Sequence, residues 1–362
     1  MRKVFYAGRE GVVMLDDENV LKRRDSEDVL GSALRQHEQA CLLVDIHHPH
    51  HDGRKITNIV TVGMGGSGLA SLLAKTWLND ELAVPFEVVQ GYQLPRYVTD
   101  STLVIISSCS GNTEEALSIL DAARERNAQI AVITGGGELL QRAEQFEIAH
   151  VVLPVQLTIQ PRLLTIAQLR ALTRLLNHFG IISSQAFDEI ATAAAWLKDR
   201  AEAWGANVPT DKNYAKQLAL LAVGKTPVFY GGELTSAAAY KWKISWNENA
   251  KNVAFYNQYP EANHNEFIGW TSHPIEKPFV VFDLISDLED ARILKRFSVS
   301  DRLLSGKRPK AITINLKGET ILEQLLWAYT LADFASSYVG IMNNVDPGPV
   351  ALISKLKQEL SL

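Results

Sequence analysis

Three observations predict a doubly wound α/β fold. A β-branched run ends at Val62 in the glycine-rich turn GMGGSG (63–68), and a small-residue helix follows it. Short apolar runs then alternate with amphipathic stretches, the signature of a parallel sheet covered by helices on both faces. Right-handed crossovers make such a sheet doubly wound. The same theme returns after residue 225, so the chain reads as two copies of one α/β unit. At 362 residues it is too long for one ordinary core. The expected division is an N-terminal extension over 1–20, a first domain over 21–180 and a second over 181–362.

The elements follow in order. VFYAGREGVVML (4–15) reads as a short hairpin. Residues 26–45 have near-helical apolar spacing, with Ser26 as the cap and Glu27 and Asp28 in the first turn. Strands are expected at 58–62, 86–90, 103–107, 129–134 and 151–153, with helices at 69–78, 113–126 and 138–145. RLLTIAQLRALTRLLNHFG is an amphipathic helix stopped by Gly180, and a second helix runs from about Ser184 to Trp204; the two are expected to join the halves. In the second half, strands fall at 227–230, 279–284 and 311–315, and helices at 236–244, 321–339 and 349–360. Pro349 suits a first helical position.

Composition narrows the function. Hydrophobic content of 46% and charged content of 21% are those of a globular protein, and a net charge of −5 gives no reason to expect nucleic acid or an anionic membrane as partner. Two cysteines, Cys41 and Cys109, build no disulfide scaffold and suit a reducing cytosol. MRKVFYAGREG lacks the apolar run of a signal peptide, and no stretch has 18 uncharged apolar residues. A cytoplasmic location is the expectation.

Gly63, Gly65 and Gly68 fit the dinucleotide fingerprint G-x-G-x-x-G. That reading also requires an acidic residue at the end of the next strand, to hold a ribose. PFEVVQGY places Glu87 at the strand's beginning and Gln90-Gly91 at its end. The third strand is more informative. In LVIISSCSGNTEEAL (103–117), Ser108, Ser110 and Thr113 gather around Gly111-Asn112 before a helix opening with Glu114-Glu115. Hydroxyls and N–H groups at a helix N-terminus attract an anion, and without a lysine the loop is no nucleotide P-loop. A lone phosphate monoester fits. The same residues also read as a capping box. Two such loops at adjacent strand ends point to one ligand at the switch point of the sheet.

Five segments carry a resemblance: GMGGSG at 63–68, SSCSGNTEEAL at 107–117, QPRLL at 160–164, NENAKNVAFYNQYPEANHNEFIGW at 247–270, and DPGPVALISKLK at 346–357. SCSGNTEE resembles the phosphosugar loop of sugar isomerase (SIS) domains. The wider pattern, over nearly all of 20–362, resembles the bifunctional phosphoglucose/phosphomannose isomerases. The resemblance implies two SIS domains, each a flavodoxin-like, doubly wound parallel sheet flanked by helices. It implies an aldose–ketose isomerase converting glucose 6-phosphate and/or mannose 6-phosphate to fructose 6-phosphate through an enediolate. It implies no cofactor and no metal.

Such chemistry needs a base, help with ring opening and positive charge near the enediolate. The resemblance makes Glu248, in WNENAKN, the base. Burial would raise its pKa toward the value a base needs. It assigns ring opening to His264, in EANHNEF, which in the family reaches the site from the other subunit, so a homodimer is implied. Arg162 is to stabilise the enediolate, and Lys355, with Lys357 as the alternative, to assist ring opening. Helical spacing would put Gly348 and Lys355 on one face. Ser108, Ser110 and Thr113 would bind the phosphate, and the backbone of Gly65, Gly66 and Ser67 would line the sugar end. The chain departs from the family pattern twice: Cys109 replaces an aromatic residue, and Gly348 stands where a threonine linked to room for the mannose epimer is common.

Other features weigh less. DIHHPHHD (45–52) holds four of the nine histidines, but its proline and loop position favour exposure or adventitious metal binding over a metal site. Cys109 sits at a helix N-terminus, where a thiol pKa can fall, yet a nucleophile would also want a placed histidine. Trp242, Trp246, Tyr256 and Tyr259 read as core or dimer contacts. The rivals to the isomerase are a non-catalytic phosphosugar-binding regulator, which would lack the Glu248/His264 pair, and a nicotinamide-dependent dehydrogenase.

Overall fold

The computed structural model describes residues 9–154, 160–271 and 278–360. In chain order the elements begin with α1 (Arg9–Leu15), α2 (Glu18–Arg24) and α3 (Val29–Leu34), the last continued by a 3-10 segment, Arg35–Cys41. Next come β1 (Asn58–Val62), α4 (Leu69–Trp77), β2 (Phe86–Val89), β3 (Thr102–Ser108), α5 (Glu114–Glu125), β4 (Gln129–Thr134), α6 (Gly137–Gln145), β5 (Ala149–Val152), α7 (Thr165–His178) and α8 (Ser184–Glu202). The chain continues as α9 (Tyr214–Ala222), β6 (Thr226–Gly231), α10 (Ser236–Glu248), β7 (Phe255–Gln258), α11 (Glu266–Gly269), β8 (Phe279–Ile285), α12 (Ala291–Leu303), β9 (Ile312–Asn315), α13 (Ile321–Met342) and α14 (Ala351–Leu360).

Two compact units divide the chain within α8: Gln36–Trp196 forms one, and the residues through Arg35 join Leu197–Leu362 in the other. The first unit holds a parallel sheet of order β2-β1-β3-β4-β5. The second holds a parallel sheet of order β7-β6-β8-β9. Numbered from its own first strand, the first sheet runs 2-1-3-4-5 and the second 2-1-3-4, so the repeat legible in the sequence is a repeat of topology. β3 is buried at all seven positions, as a central strand covered on both faces must be. Val60, Val62, Val104, Ile106 and Val132 form one side of the first core with Ile119 and Leu120 of α5 and Leu139 of α6.

The second unit is built on α13, buried at every position except Ile321 and Glu323. A helix surrounded by protein has no polar face to keep, so apolar residues fall on every side of this one. Thr320 and Glu323 close a capping box at its start. Its one buried charge, Asp333, is paired: Lys241 Nζ donates to it at 2.7 Å and Ser245 Oγ at 2.9 Å. Trp242 and Trp246 stack in this core with centroids 5.3 Å apart, and Tyr259 is buried, whereas Tyr256 is 44% exposed.

Several expectations are corrected. Of the hairpin expected over 4–15, residues 4–8 lie outside the described residues and Arg9–Leu15 is helical. α1 and α3 pack on α13 in the second unit. Ser26 does not cap the following helix. Asp28 caps it, and Asp25 accepts from the N–H groups of Val29 and Leu30 at 2.8 and 2.9 Å. α7 is no connector: it packs on α4 and β4 of the first unit. α10 runs four residues past the expected Ile244, because Ser245–Glu248 contains nothing that breaks a helix. The last helix begins at Ala351, so Pro349 lies outside it and Gly348 cannot share a helical face with Lys355. α9, β7, α11 and α12 had no expected counterpart. β7 is a short edge strand, largely exposed, and lacks the alternation that marks a half-buried strand.

Candidate active site

Each residue singled out above has a definite place, and the first unit brings one group of them together. The turn after β1 is tight enough to demand glycine twice. A Cβ on Gly63 would lie 2.6 Å from the carbonyl oxygen of Ser67, and one on Gly68 would lie 2.6 Å from that of Gly63. Gly66 has a different reason. A Cβ there would lie 2.4 Å from the backbone nitrogen of Arg162, so this turn is pressed against Pro161-Arg162. Arg162 follows Pro161 in a 3-10 turn and is buried, 1% exposed. The glycine turn therefore packs on the protein's own QPRLL segment. Glu87, the acid the dinucleotide reading needed, is exposed at the start of β2 and bonded to the Tyr97 hydroxyl.

The loop after β3 lies beside that turn, because β1 and β3 are neighbours in the sheet. Ser67 Oγ accepts from the Cys109 N–H at 3.3 Å and lies 3.6 Å from its thiol. The two loops thus meet outside the carboxyl ends of β1 and β3, where the strand order reverses and open α/β sheets bind ligands.

Within the loop, capping and anion binding make different demands on Thr113. Thr113 holds the N-cap position of α5, yet its side chain makes no cap hydrogen bond. Its hydroxyl pairs with that of Ser108 at 2.9 Å. The hydroxyls thus face each other across the turn in front of α5, two of the three expected phosphate ligands. Ser110, the third, is exposed, and its Oγ accepts from the Asn112 N–H at 3.3 Å. Gly111 has φ +67°, and a Cβ on it would lie 1.7 Å from the Gly136 carbonyl oxygen. Asn112 serves the neighbouring loop, its Oδ1 accepting from the Glu138 N–H at 2.9 Å. Burial pushes the Cys109 thiol pKa up, which keeps it protonated and unreactive.

The second sheet has the corresponding crevice, between β6 and β8, but a carboxylate of the chain fills it. Glu289 Oε1 accepts from the Leu234 N–H at 2.8 Å, and a Cβ on Gly232 would meet that same oxygen at 2.2 Å. Thr235 closes the turn by accepting from the Gly232 N–H at 2.7 Å and donating to the Leu284 carbonyl at 2.8 Å.

Glu248 is the last residue of α10 and only half-buried, not stripped of water as the sequence reading wanted. The asparagines around it hold the chain reversal that follows. Asn249 Nδ2 donates to Ser336 Oγ at 2.9 Å, and α13 passes so close that a Cβ on Gly340 would lie 2.5 Å from the Asn249 carbonyl. Asn252 Nδ2 donates to the carbonyl of Lys225, just before β6, at 2.8 Å. Lys251, at φ +51°, donates to the Glu248 carbonyl at 2.5 Å and to that of Pro347 at 3.0 Å. These residues tie Glu248 to the amino edge of the sheet and to the DPGP segment.

His264 lies at the other edge. The Tyr259 N–H donates to the carbonyl of Gly231, the last residue of β6, at 2.8 Å, and the 3-10 turn Glu261–Asn263 leads directly to His264. The segments carrying Glu248 and His264 are thus anchored at opposite ends of β6, a strand of six residues that is about 20 Å long. The flanking asparagines pin the loop: Asn265 caps α11, and Asn263 donates to Ser300 Oγ at 2.8 Å and accepts from Arg296 at 3.1 Å. His264 itself is exposed, and its ring has no hydrogen-bond partner among the described residues.

Lys355 and Lys357 lie on α14, none of whose residues is buried, and Lys355 pairs with Glu359 at 3.7 Å. Gly348 is the unexpected contact. A Cβ there would lie 2.5 Å from Glu27 Oε2, and the Ser26 N–H donates to Asp346 at 3.3 Å. The residues flanking Glu27 in sequence gave no sign of this, because the two segments are more than 300 positions apart. The histidines of DIHHPHHD stack on other rings, His47 on His150 at 5.0 Å and His51 against His178 at 5.1 Å. Among the described residues no group of three or more His, Cys, Asp or Glu is placed to hold a metal.

Comparison with known proteins adds the family. Residues 54–150 match the SIS domain, and 211–360 match the bacterial phospho-glucose isomerase C-terminal SIS domain. A bifunctional phosphoglucose/phosphomannose isomerase of Caldicellulosiruptor bescii is 33% identical over 84% of this chain and 90% of its own. One of Aquifex aeolicus is 32% identical over 83% and 90%. The crystal structure of a glucose-6-phosphate isomerase like protein from Thermus thermophilus superposes with a TM-score of 0.63 at 16% identity, covering 95% of this chain and 98% of that one.

Proposed function

The chain belongs to the bifunctional phosphoglucose/phosphomannose isomerase family, and from that membership we propose that it interconverts glucose 6-phosphate and mannose 6-phosphate with fructose 6-phosphate. Ser108, Ser110 and Thr113 hold the phosphate at the N-terminus of α5, and the backbone of Gly65, Gly66 and Ser67 lines the sugar. Glu248 takes the proton from C2 of the open-chain aldose and returns it to C1. Arg162 balances the charge of the enediolate between these steps. His264 moves the proton between the ring oxygen and the anomeric hydroxyl, with Lys355 assisting. Charge that develops on the substrate oxygens meets fixed donors, so little reorganisation is needed.

The observation that carries this reading is the Ser108–Thr113 pair, whose hydroxyls leave the start of α5 uncapped by a side chain. A helix end left open in this way suits a dianion. The distance between Glu248 and His264 supports a homodimer. Ring opening and proton transfer concern adjacent atoms of one sugar, whereas the two side chains of one chain lie at opposite edges of a sheet. His264 of a second copy is therefore the one that completes the site. A cytoplasmic location suits Cys41 and Cys109, both free.

A coupled assay of fructose 6-phosphate formation from each aldose phosphate tests the reading. Wild type turns over at least one of them, and Glu248→Gln lowers kcat by about 10²–10⁴-fold with an unchanged melting temperature. A wild type that binds phosphosugar yet turns over neither is instead a phosphosugar-binding regulator.

A further inference from the structure

We propose that a groove on the second unit, between α12 and the loop carrying His264, is a second anion site, built for a small phosphorylated metabolite and separate from the loop after β3. The groove has a volume of about 380 Å³, the size of a small-ligand site. Arg292, Lys295 and Arg296 of α12 line it, at the i, i+3 and i+4 spacing that puts all three on one face of the helix. Phe267 and Val299 form an apolar floor, with the exposed Leu303 at its rim.

Two features separate this from an ordinary solvated helix face. First, the cations lack counter-ions. Among the described residues none of the three forms a salt bridge, and nearby acids are committed elsewhere. Glu261 accepts from Asn265, Glu266 from the Tyr230 hydroxyl and Asn257, Asp301 from the Ala311 N–H, and Asp290, which caps α12, from the Arg292 N–H at 2.7 Å. Three like charges held within two turns of helix repel one another, and a multiply charged anion relieves that repulsion. Second, the wall opposite is preorganised. Arg296 is fixed on Asn263 at 3.1 Å and Asn263 on Ser300 at 2.8 Å, so one guanidinium is already oriented. The apolar floor favours a small metabolite with a carbon skeleton, and the chain's net charge of −5 disfavours a long polyanion.

Inorganic pyrophosphate is the probe, titrated calorimetrically into the full chain at fixed ionic strength. The site predicts saturable binding that Arg292→Gln/Lys295→Gln weakens by about tenfold or more, since both charge-assisted contacts are lost. It also predicts that Ser108→Ala/Thr113→Val leaves this component intact, which keeps the result independent of the isomerase reading. Both cations are exposed, so the double variant keeps the wild-type melting temperature. Wild type without saturable binding, an affinity changed less than twofold by Arg292→Gln/Lys295→Gln, or a signal lost entirely in the loop variant would each overturn the proposal.

Discussion

At the scale of single residues, glycines decide more than any other type, and for reasons that differ by position. Gly66 and Gly111 both sit in loops whose motif is visible in the sequence. What each glycine makes room for is not visible: the Arg162 backbone in one case and the Gly136 carbonyl in the other. Gly111→Ala combines a positive φ with a contact of 1.7 Å, and its expected cost is at least about 2 kcal/mol. Chemical denaturation measures that cost, and phosphosugar binding should weaken with it. Gly348 is a subtler case. A threonine Cβ there would lie 2.5 Å from Glu27 Oε2 and 2.7 Å from the Glu27 Cβ, so turning the carboxylate away does not clear it. Gly348→Thr alone is expected to lower activity, and Gly348→Thr with Glu27→Gly, which removes the Cβ as well, to recover it; the ratio of mannose to glucose 6-phosphate turnover in the pair reports whether Glu27 shapes the sugar end. No pattern in either segment announces their contact, because it comes from packing and not from spacing.

At the scale of elements, strands and helices with clean periodicity were legible, and those without it were not. β1, β4 and α4 lie within a residue of their expected bounds, since a buried strand is a short apolar run and α4 has a marked apolar face. β7 and α12 have no counterpart in the sequence reading: one is an exposed edge strand without alternation, the other an amphipathic helix whose apolar positions are interleaved with five charged residues. β8 carries a feature that its apolar sequence hides. Asp283 is buried on it, opposite Tyr230 of β6, and burial raises its pKa to about 7, with Arg308 opposing the shift. The unfolded chain releases this proton near pH 4 and the folded chain near pH 7. The group's contribution to stability is therefore fullest below pH 4 and falls as pH rises to 7, by up to about 4 kcal/mol. Asp283→Asn should flatten that part of the stability profile, as urea melts at pH 4.5 and 7.5 can establish. A wild-type profile with no such slope would count against a neutral Asp283.

At the scale of the whole molecule, the two units repeat one strand order and differ in what occupies the crevice. The first leaves paired hydroxyls at its switch point; the second fills its own with Glu289. That difference is the reason the proposed phosphosugar-binding loop is placed on the first unit alone. The separation of Glu248 and His264 along β6 makes a prediction about assembly. Glu248→Gln and His264→Ala should each be inactive. Mixed and reassembled, they should recover about a quarter of wild-type activity, because half of the dimers are then hybrids and each hybrid has one site with neither substitution. No recovery from hybrids confirmed by mass spectrometry would mean that each chain completes its own site.

The fold class, the two-copy organisation and the loop before α5 were all determined locally, by apolar period, by glycine and hydroxyl placement, and by motifs that few other folds would need. Those signals survive in a linear sequence because the physics that sets them acts within one turn or one strand. The edge of the sheet on which each candidate residue falls, the contact of Glu27 with Gly348 and the self-filled second crevice were decided by tertiary structure alone. They depend on residues brought together from distant parts of the chain, where neither period nor spacing carries any record of the partner.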